Sequence, residues 1–322
     1  MQGRPLISVV IPNWNGAQHL PTCLDSLRRQ TYPRVEIIVA DNNSHDESVA
    51  LMEREYPEVR VLVLEENLGY TGGVNAGIEA AGGDILAVLN NDTETDPRWL
   101  EELWSALERH PGAGSVTSKI LLFDERTIFN STGDLYSTNG IPVNRGVWQE
   151  DRGQFDREEK VFSPCGGAFA VRRSVLTQLA ERGQGDPFDE DFFSYCEDVD
   201  LGWRAQLAGY ECLYVPTAIV YHRLSATGGG KIASYYTGRN FIYVLAKDYP
   251  GSLFKKHWRR IILAQLRITW EALRAWRGEA ARARIRGQLS GLWNLPRLLR
   301  KRRAIQDNRV ATDDYLESLL IS

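Results

Sequence analysis

Four short runs of apolar, mostly β-branched residues alternate with helical patterns over the first 110 residues, and this alternation restricts the possible folds most. The runs lie at 6–12, 35–41, 59–65 and 84–90, and the helical patterns at 17–30, 46–55, 73–81 and 97–109. Strands separated by helices of about 10–15 residues indicate βαβ units and a largely parallel central sheet with helices on both faces. The runs are continuously apolar, which is typical of strands buried on both sides.

The sequence from 112 to 250 is less regular and predicts a mixed or antiparallel extension of this sheet. Strands are predicted at 114–122, 143–149, 160–172 and 210–222, and helices at 174–182 and 232–247. A glycine-rich loop, TGGGK, occupies 227–231. We therefore expect an α/β domain over 1–250, followed by a helical extension over 251–322.

Polar or glycine-rich residues follow each of the first four strands. They are Pro12 to Gly16, Asp41 to Ser44, Glu66 to Gly73 and Asn90 to Asp92. In an open parallel sheet the carboxyl ends of the strands meet at the crevice that binds ligands. Asn, Asp and Gly also favour ordinary turns and helix caps, but four such loops in succession favour a binding site.

The chemistry of these loops suggests a ligand that carries a diphosphate. There is no G-x-G-x-x-G after the first strand and no phosphate-binding P-loop sequence, so neither motif predicts a dinucleotide or nucleoside triphosphate site. Acidic side chains can face a diphosphate only if a cation lies between them. Asp92, at the tip of the fourth strand, is placed to hold Mn²⁺ or Mg²⁺ through oxygen.

A second acidic cluster, Glu197-Asp198-Val199-Asp200, follows Phe192, Phe193 and Tyr195. In the first turn of a helix, such acids are stabilised by the helix dipole, which is the simpler interpretation. The aromatic residues also place the carboxylates in an apolar wall, where burial raises a carboxyl pKa toward values useful to a general base. His222, at the end of a predicted strand, is a third candidate, although a lone His is more often a surface or core residue.

Several motifs resemble, in order from about residue 6 to 245, the family 2 glycosyltransferases, and most closely their rhamnosyltransferase-like branch in bacterial surface polysaccharide synthesis. The motifs are ISVVIPNWNG, VEIIVADNNSHD, ENLGYTGGVNAGI, GGDILAVLNNDTE, PCGGAFAVRR, FDEDFFSYCEDVDLGWR and YHRLSATGGG. The resemblance implies a GT-A fold, with a nucleotide-binding half over 1–110 and an acceptor-binding half over 111–250.

The resemblance also implies roles for individual residues. Asp198 matches the catalytic base, with Glu197 beside it, and Asp92 and His222 match metal ligands. Asn90 stands where the family's D-x-D element has its first acid, a departure that weakens metal affinity. The residues implied to bind the nucleotide-sugar are Pro12, Asn13, Asn15, Asp41, Asn43, Asn67, Gly73, Asn75, Asn91, Asp92, Gly167 and Arg239.

The implied reaction is an inverting transfer from a dTDP- or UDP-sugar, with rhamnose favoured, to a saccharide or polyprenyl-linked acceptor. A divalent metal would neutralise the leaving diphosphate. Two alternatives remain at this point. A nucleotidyltransferase would need a cation in the first loop, which Asn13-Trp14-Asn15-Gly16 does not supply. A catalytically silent nucleotide-sugar-binding scaffold is compatible with Asn90 but not with the intact Glu197-Asp198 pair.

The extension is strongly basic. Residues 251–303 carry fifteen Lys and Arg against two acids, a local charge of +13. Since the net charge of the chain is −4, the remainder carries −17. Helical spacing of Trp258, Ile262, Trp270 and Trp276 beside these cations favours a helix lying on an anionic membrane over 252–303.

The alternative for this segment is a helix packed on the catalytic domain, with its arginines paired to that domain's acids. Nucleic-acid binding is not expected, because no nucleic-acid-binding motif is present. We find no signal peptide or membrane-spanning run in the sequence. We therefore expect a cytoplasmic protein, peripheral on the inner face of the plasma membrane.

Overall fold

The computed structural model describes residues 3–224 and 230–322, and its first 110 residues form the predicted parallel sheet. The strands are β1 (Ile7–Asn13), β2 (Val35–Asp41), β3 (Arg60–Val63), β4 (Ile85–Leu89) and the short β5 (Thr93–Thr95). The helices are α1 (Leu20–Arg28), α2 (Ser48–Glu55), α3 (Gly69–Ala80) and α4 (Trp99–Arg109). β1 lies between β2 and β4, parallel to both, and β3 continues the sheet beyond β2.

The middle of the chain extends this sheet with mixed strand directions. Its elements are β6 (Ala113–Leu122), β7 (Phe129–Ser131), β8 (Asp134–Ser137), β9 (Pro142–Asn144), β10 (Glu159–Val161), β11 (Ala168–Arg172), α5 (Arg173–Glu181), α6 (Glu197–Leu207) and β12 (Glu211–His222). β11 is antiparallel to both β4 and β6, and β6 is parallel to β12. The main order is β10-β12-β6-β11-β4-β1-β2-β3.

Helices complete the described chain. They are α7 (Gly230–Lys247), α8 (Gly251–Arg274), α9 (Glu279–Trp293), α10 (Leu295–Asp307) and α11 (Asp313–Ser318), followed by the short strand β13 (Leu320–Ile321). β13 pairs with β8, which also pairs with β9, so the far C-terminal residues close a small second sheet. None of the described helices is both long enough and apolar enough to cross a lipid bilayer.

Two strand predictions for the middle region differ from the structure, and a predicted loop lies partly outside the described residues. The predicted strand 160–172 is wrong as one element, because Ser163 to Gly167 form a loop between β10 and β11. The strand predicted at 143–149 ends at Asn144, since Gly146 and Trp148 have left-handed backbones, with φ of 77° and 65°. Residues 227–229 of the predicted glycine-rich loop lie outside the described residues, and Gly230 and Lys231 begin α7.

The sheet is buried on both faces. Val9 and Ile11 of β1 pack with Leu24 and Trp99 on one side. Val10 packs with the apolar residues of α3 and α5 on the other side. Successive side chains of a strand point to opposite faces, so a continuous apolar run fills both layers.

A separate core joins the extension to the α/β domain. Leu253, Ile261 and Leu298 share one buried cluster with Tyr136 of β8 and Trp203 of α6. The cluster spans the boundary predicted at residue 250. The first residues of α6 carry the acidic cluster, so the extension lies behind the helix that bears it.

Candidate active site

A cleft of about 710 Å³ opens at the carboxyl ends of β1 and β4. Its walls are the loop 163–167, the start of α6, the end of β12 and the first turns of α7. The predicted residues that line it are Pro12, Asn13, Asn67, Asn91, Asp92, Gly167, Glu197, Asp198 and His222. Residues more than 200 positions apart in the chain therefore meet in one place, at the edge of the sheet where parallel α/β folds bind ligands.

A chain of hydrogen bonds sets the polar floor of the cleft. The Asn13 side chain donates to Asp41 Oδ2 at 2.7 Å and accepts from Asn91 Nδ2 at 2.6 Å. Asp41 is fully buried and also accepts from the amide and hydroxyl of Ser44. Asp41 therefore fixes the orientation of the Asn13 amide, and Asn13 in turn fixes Asn91 beside Asp92.

Asp92 and His222 form the pair that the sequence assigned to a metal. His222 Nε2 lies 3.1 Å from Asp92 Oδ1, and this buried oxygen has no hydrogen-bond partner in the described residues. His222 Nδ1 lies 2.8 Å from Asn130 Oδ1. If Nδ1 carries the proton and donates it to Asn130, Nε2 presents its lone pair toward Asp92.

These residues fit a divalent cation. With the tautomer that donates to Asn130, an unsatisfied carboxylate oxygen and an imidazole lone pair face each other, and a metal-bound His ordinarily donates its other N–H to a fixed acceptor. The described residues contain no cluster of three or more His, Cys, Asp or Glu that could hold a metal by themselves. Mn²⁺ and Mg²⁺ commonly complete their shells with water and substrate phosphate oxygens, so two protein ligands suffice for such a site.

Asp198 lies in the first turn of α6 at the cleft surface. Its Oδ2 accepts from the backbone N–H of Gly166 at 2.7 Å, and its Oδ1 accepts from Val199 N–H at 2.8 Å. A Cβ on Gly166 would stand 3.0 Å from Oδ2, so glycine permits this close approach. Burial raises the pKa of Asp198, and the backbone N–H groups oppose part of this effect.

Glu197 is the more deeply buried of the two acids. Burial first, and then the neighbouring Asp198, raise the pKa of Glu197 well above its ordinary value. Its Oε2 has no hydrogen-bond partner in the described part of the chain. The pair therefore combines a carboxyl group held by backbone amides, Asp198, with a more deeply buried neighbour whose Oε2 is unpartnered among the described residues.

Backbone strain lies directly before these acids. Phe193, Tyr195 and Cys196 have left-handed backbones, with φ of 62°, 70° and 66°. Such conformations are costly for residues other than glycine and persist only where surrounding contacts enforce them. Here Arg239 and Asn240 of α7 supply those contacts.

The two α7 side chains bind the backbone carbonyls of the strained segment. Arg239 Nη2 donates to the carbonyl oxygens of Asp191 and Phe192, each at 2.7 Å. Asn240 Nδ2 lies within hydrogen-bond distance of the carbonyl oxygens of Phe192, Ser194 and Tyr195. α7 therefore fixes the direction from which the chain enters α6.

Six of the sequence-assigned residues support the cleft without lining it. They are Asn15, Asp41, Asn43, Gly73, Asn75 and Arg239. Asn75 bonds the backbone of Phe188, and Asn43 donates to the carbonyl of Glu65. A Cβ on Gly73 would stand 2.6 Å from Asn42 Nδ2, so glycine lets α3 pack against the loop after β2.

Sequence reasoning did not single out several other residues of the cleft wall, including the following three. Asn130 orients His222, Asp134 lies among the acids, and the Tyr70 hydroxyl donates to the Gly166 carbonyl at 2.5 Å. Asn130 and Asp134 belong to the irregular stretch between β6 and β9, where no periodic pattern indicates which side chains point inward. Tyr70 lies within the motif ENLGYTGGVNAGI. An aromatic residue among glycines was the feature that could have indicated a role for it.

Acidic side chains line the cleft, without basic ones to balance their charge in the described residues. In the described part of its lining there are four acids, Asp92, Asp134, Glu197 and Asp198, and no Lys or Arg. A diphosphate cannot enter such a lining unless its charge is neutralised by a bound cation. The lining thus agrees with the fit of Asp92 and His222 to a divalent ion.

Comparison with solved structures defines the fold class. Over 76% of this chain and 48% of the other, the structure resembles GalNAc-T7, crystallised with UDP, GalNAc and Mn²⁺, with a TM-score of 0.61 and 19% identity. Over 91% of this chain and 88% of the other, it resembles the mannosyltransferase PcManGT from Pyrobaculum calidifontis in complex with GDP-Man and Mn²⁺, with a TM-score of 0.56 and 18% identity. The fold is the GT-A fold of glycosyltransferases.

The family follows from sequence comparison. Residues 8–180 match the model of glycosyl transferase family 2. The N-acetylglucosaminyl-diphospho-decaprenol L-rhamnosyltransferase of Mycobacterium tuberculosis is 30% identical over 267 residues, which cover 76% of this chain and 84% of that protein. The O-antigen biosynthesis protein RfbC of Myxococcus xanthus is 31% identical over 236 residues, 70% of this chain and 18% of that protein. The chain belongs to glycosyltransferase family 2 and is a nucleotide-sugar glycosyltransferase.

Proposed function

We propose that this chain is an inverting rhamnosyltransferase. It moves rhamnose from dTDP-rhamnose to a hydroxyl of a lipid-linked saccharide, with Asp198 as general base. The choice of sugar and acceptor rests on the mycobacterial relative, whose name specifies L-rhamnose transfer to N-acetylglucosaminyl-diphospho-decaprenol. The proposed donor site comprises Pro12, Asn13, Asn67 and Asn91 beside Asp92.

One observation carries the proposal. The Asp92–His222 pair and Asp198 face the same cleft, and the described lining between them holds no basic side chain. A donor whose diphosphate lies at Asp92 and His222 would present its anomeric carbon toward the side of the cleft where Asp198 lies. An acceptor hydroxyl between the anomeric carbon and Asp198 is then placed for direct attack.

The residues of this chain divide the chemistry between them. Asp198 takes the proton of the acceptor hydroxyl as its oxygen bonds to the anomeric carbon, while the bond to the donor diphosphate breaks. Attack from the face opposite the leaving group inverts the anomeric centre without a covalent enzyme intermediate. Asp92 and His222 would hold a divalent ion, which would supply positive charge against the departing diphosphate.

The reaction can be tested with the purified full chain. dTDP-rhamnose, UDP-glucose and UDP-N-acetylglucosamine are offered with N-acetylglucosaminyl-diphospho-farnesol, a short-chain soluble acceptor, and Mn²⁺. We expect rhamnosyl transfer, with product NMR showing an anomeric configuration opposite to that of the donor. Asp198→Asn should lower kcat by about 100-fold or more while dTDP still binds, and Asp124→Asn, at an exposed carboxylate, is the matched control. A retained configuration, or full activity in Asp198→Asn, would contradict the mechanism.

We further propose that residues 252–303 of the extension bind an anionic membrane surface. α8 packs inward through Leu253, Ile261 and Ala272. Another face leaves large apolar side chains exposed, namely Trp258, Ile262, Leu263, Leu266, Trp270 and Leu273, with Trp276 just beyond the helix. On α9, Leu289, Leu292 and Trp293 are exposed as well. Apolar surface on this scale is unusual for a protein that meets only water.

The charges near this surface also support the proposal. Lys255, Arg259 and Arg274 have no carboxylate partner within ion-pair distance in the described residues. Other cations of the extension do pair inward, as the packing alternative expects, for example Lys301 with Asp189 and Asp191. One face thus binds the catalytic domain, and the exposed tryptophans and unpaired cations are suited to lipid headgroups.

A groove opens beside this surface. It has a volume of about 570 Å³ and is lined by Lys231, Leu273, Trp276, Glu279, Arg282, Ile285 and Arg286. Lys231 immediately precedes Ile232, a residue of α7 that lines the cleft. We propose that a lipid-linked acceptor held at the membrane face approaches Asp198 from this side of α7.

A further inference from the structure

Asp134 is a buried carboxyl group in the cleft wall to which the proposed reaction assigns no role. It begins β8, and its backbone N–H donates to the Ser163 carbonyl at 3.0 Å. Its own carbonyl accepts from Phe162 N–H, also at 3.0 Å. These bonds fix Asp134 beside the loop that carries Gly166, whose N–H binds Asp198.

The carboxyl group of Asp134 is unsatisfied. The residue is only 3% exposed, it lines the cleft, and its Oδ1 has no hydrogen-bond partner in the described residues. Nearby, Glu197 Oε2 is buried and unpartnered in the same way. A folded protein rarely leaves buried polar atoms without partners, and an exception in a cleft suggests that a ligand supplies the missing bond.

The surroundings determine what that bond would be. Burial first, and then the charges of Asp198 and Glu197, raise the pKa of Asp134 well above its ordinary value. The neutral carboxyl group both donates and accepts a hydrogen bond, which complements a sugar hydroxyl. An ionised carboxylate would only accept.

The position of Asp134 favours the acceptor rather than the donor. The donor diphosphate is proposed to lie at Asp92 and His222, whereas Asp134 lies beside Asp198. Pro142 and Asn144 of β9, the neighbour of β8, also line this part of the cleft. A sugar that presents one hydroxyl to Asp198 must direct its other ring substituents toward the residues around Asp198.

We infer that Asp134, together with Glu197, forms a subsite that binds a second hydroxyl of the acceptor sugar, next to the hydroxyl that Asp198 deprotonates. This inference rests on the proposed function, because it assumes a saccharide acceptor. Asp134 is thus a specificity-determining residue for the acceptor, and it takes no part in proton transfer.

The test compares Asp134→Leu with Asp134→Asn, using dTDP-rhamnose and N-acetylglucosaminyl-diphospho-farnesol. Leucine has the branched shape of aspartate and the same number of side-chain heavy atoms but removes both polar atoms, whereas asparagine keeps a donor and an acceptor. We expect Asp134→Leu to raise the acceptor KM about tenfold or more and to leave the donor KM within about twofold. Asp134→Asn should stay within about threefold of the wild-type acceptor KM. Asp124→Leu, at an exposed site, is the matched control.

Folding is checked separately from catalysis. Replacing an unsatisfied buried polar group by an apolar group of similar shape is neutral or stabilising, so Asp134→Leu should retain the wild-type thermal shift with dTDP. An unchanged acceptor KM in Asp134→Leu, with normal wild-type turnover, would overturn this inference alone. A loss of kcat in Asp134→Asn at unchanged acceptor KM would overturn it too, because it would place the group in proton transfer. No wild-type turnover with this acceptor would overturn the proposed acceptor and this inference together.

Discussion

At the scale of single residues, Asn130 shows how a side chain outside the predicted motifs controls a predicted one. Its Oδ1 fixes Nδ1 of His222, and that contact determines which imidazole nitrogen faces Asp92. Outer partners of this kind are typically worth a factor of 10–100 in metal affinity. We predict that Asn130→Leu weakens Mn²⁺ binding about 10- to 100-fold, measured by calorimetry in the presence of dTDP.

Asn144→Leu is the control for this prediction, since Asn144 is an exposed asparagine of the same region that makes no contact with His222. It should bind Mn²⁺ as the wild type does. Equal Mn²⁺ affinity in Asn130→Leu and the wild type would show that His222 does not need this orientation.

Asp134 has a consequence for the pH dependence of stability. Its pKa is raised in the folded chain above the ordinary 3.8. Above that pH the unfolded chain loses this proton while the folded chain retains it, so the contribution of Asp134 to stability falls as pH rises. We predict that the stability advantage of Asp134→Leu over the wild type grows from pH 5 to pH 8, by at most about 1.4 kcal/mol per pH unit. Urea unfolding at both pH values measures this, and a constant difference would contradict it.

Sequence reasoning singled out residues of the cleft lining that follow regular elements and missed lining residues that do not. Asn13 and Asp92 come directly after apolar strands, and Asp198 comes at the start of a helix, so each had a predictable position. Asp134 and Asn130 lie in short strands and turns whose direction depends on pairing with β6, β9 and β13. That pairing is non-local, and the sequence around these residues contains no signal for it.

At the scale of elements, the segment that leads into α6 is held by two helices that follow it in the chain. Lys301 of α10 binds Asp189 at 2.6 Å and Asp191 at 2.7 Å, and Lys247 of α7 binds Asp189 at 2.5 Å. Burial alone would raise the pKa of Asp189, but the two ammonium groups outweigh it and lower that pKa. These ion pairs anchor the first part of the segment, and Arg239 and Asn240 hold the strained part.

We predict that Lys301→Met destabilises the protein by about 1–2 kcal/mol, between the values for surface and buried pairs, because two largely buried carboxylates lose a partner. It should also lower kcat more than it changes either KM, since the position of Asp198 depends on the same segment. Chemical denaturation and steady-state kinetics measure the two effects. Lys255→Met, which removes an exposed lysine of the extension, should change neither the stability nor kcat. Equal stability and equal kcat in the two variants would contradict the prediction.

The elements themselves differ in how far the sequence predicts them. The limits of β1, β2, α4 and β12 agree with the apolar patterns to within two residues, because burial on both faces makes those patterns strong. The predicted strand 160–172 is wrong because the apolar residues on both sides of Pro164 and the two glycines concealed the loop. That loop supplies the amide that binds Asp198, a role that apolar periodicity does not encode.

At the scale of the whole molecule, the charge asymmetry of the sequence becomes a difference between two surfaces. The acidic catalytic cleft lies at one edge of the sheet, and the basic, tryptophan-rich face belongs to α8 and α9. Deleting residues 252–322 would not isolate the membrane contribution, because Leu253, Ile261 and Leu298 belong to a buried core. Substitutions of exposed side chains are the sharper test.

We predict that Trp258→Ser combined with Trp270→Ser lowers binding to anionic phospholipid vesicles by about tenfold or more, since each large apolar side chain contributes on the order of 1.5–3 kcal/mol when it leaves water. Flotation with vesicles containing phosphatidylserine measures this, and vesicles of phosphatidylcholine alone should bind the wild type more weakly. Trp148→Ser removes a tryptophan that is equally exposed but lies in the catalytic domain, and it should float as the wild type does. Unchanged flotation of the double variant would argue against this membrane face.

The ion pairs of Lys301 have a consequence for biosynthesis. Chains fold from the N-terminus as they leave the ribosome, so the sheet and the donor side of the cleft can assemble long before α10 is made. The turn that presents Asp198 acquires its last anchors only after residue 301 has emerged. A nascent chain of this protein would therefore bind its nucleotide-sugar before it is able to transfer the sugar. Transfer would begin only when translation has passed α10.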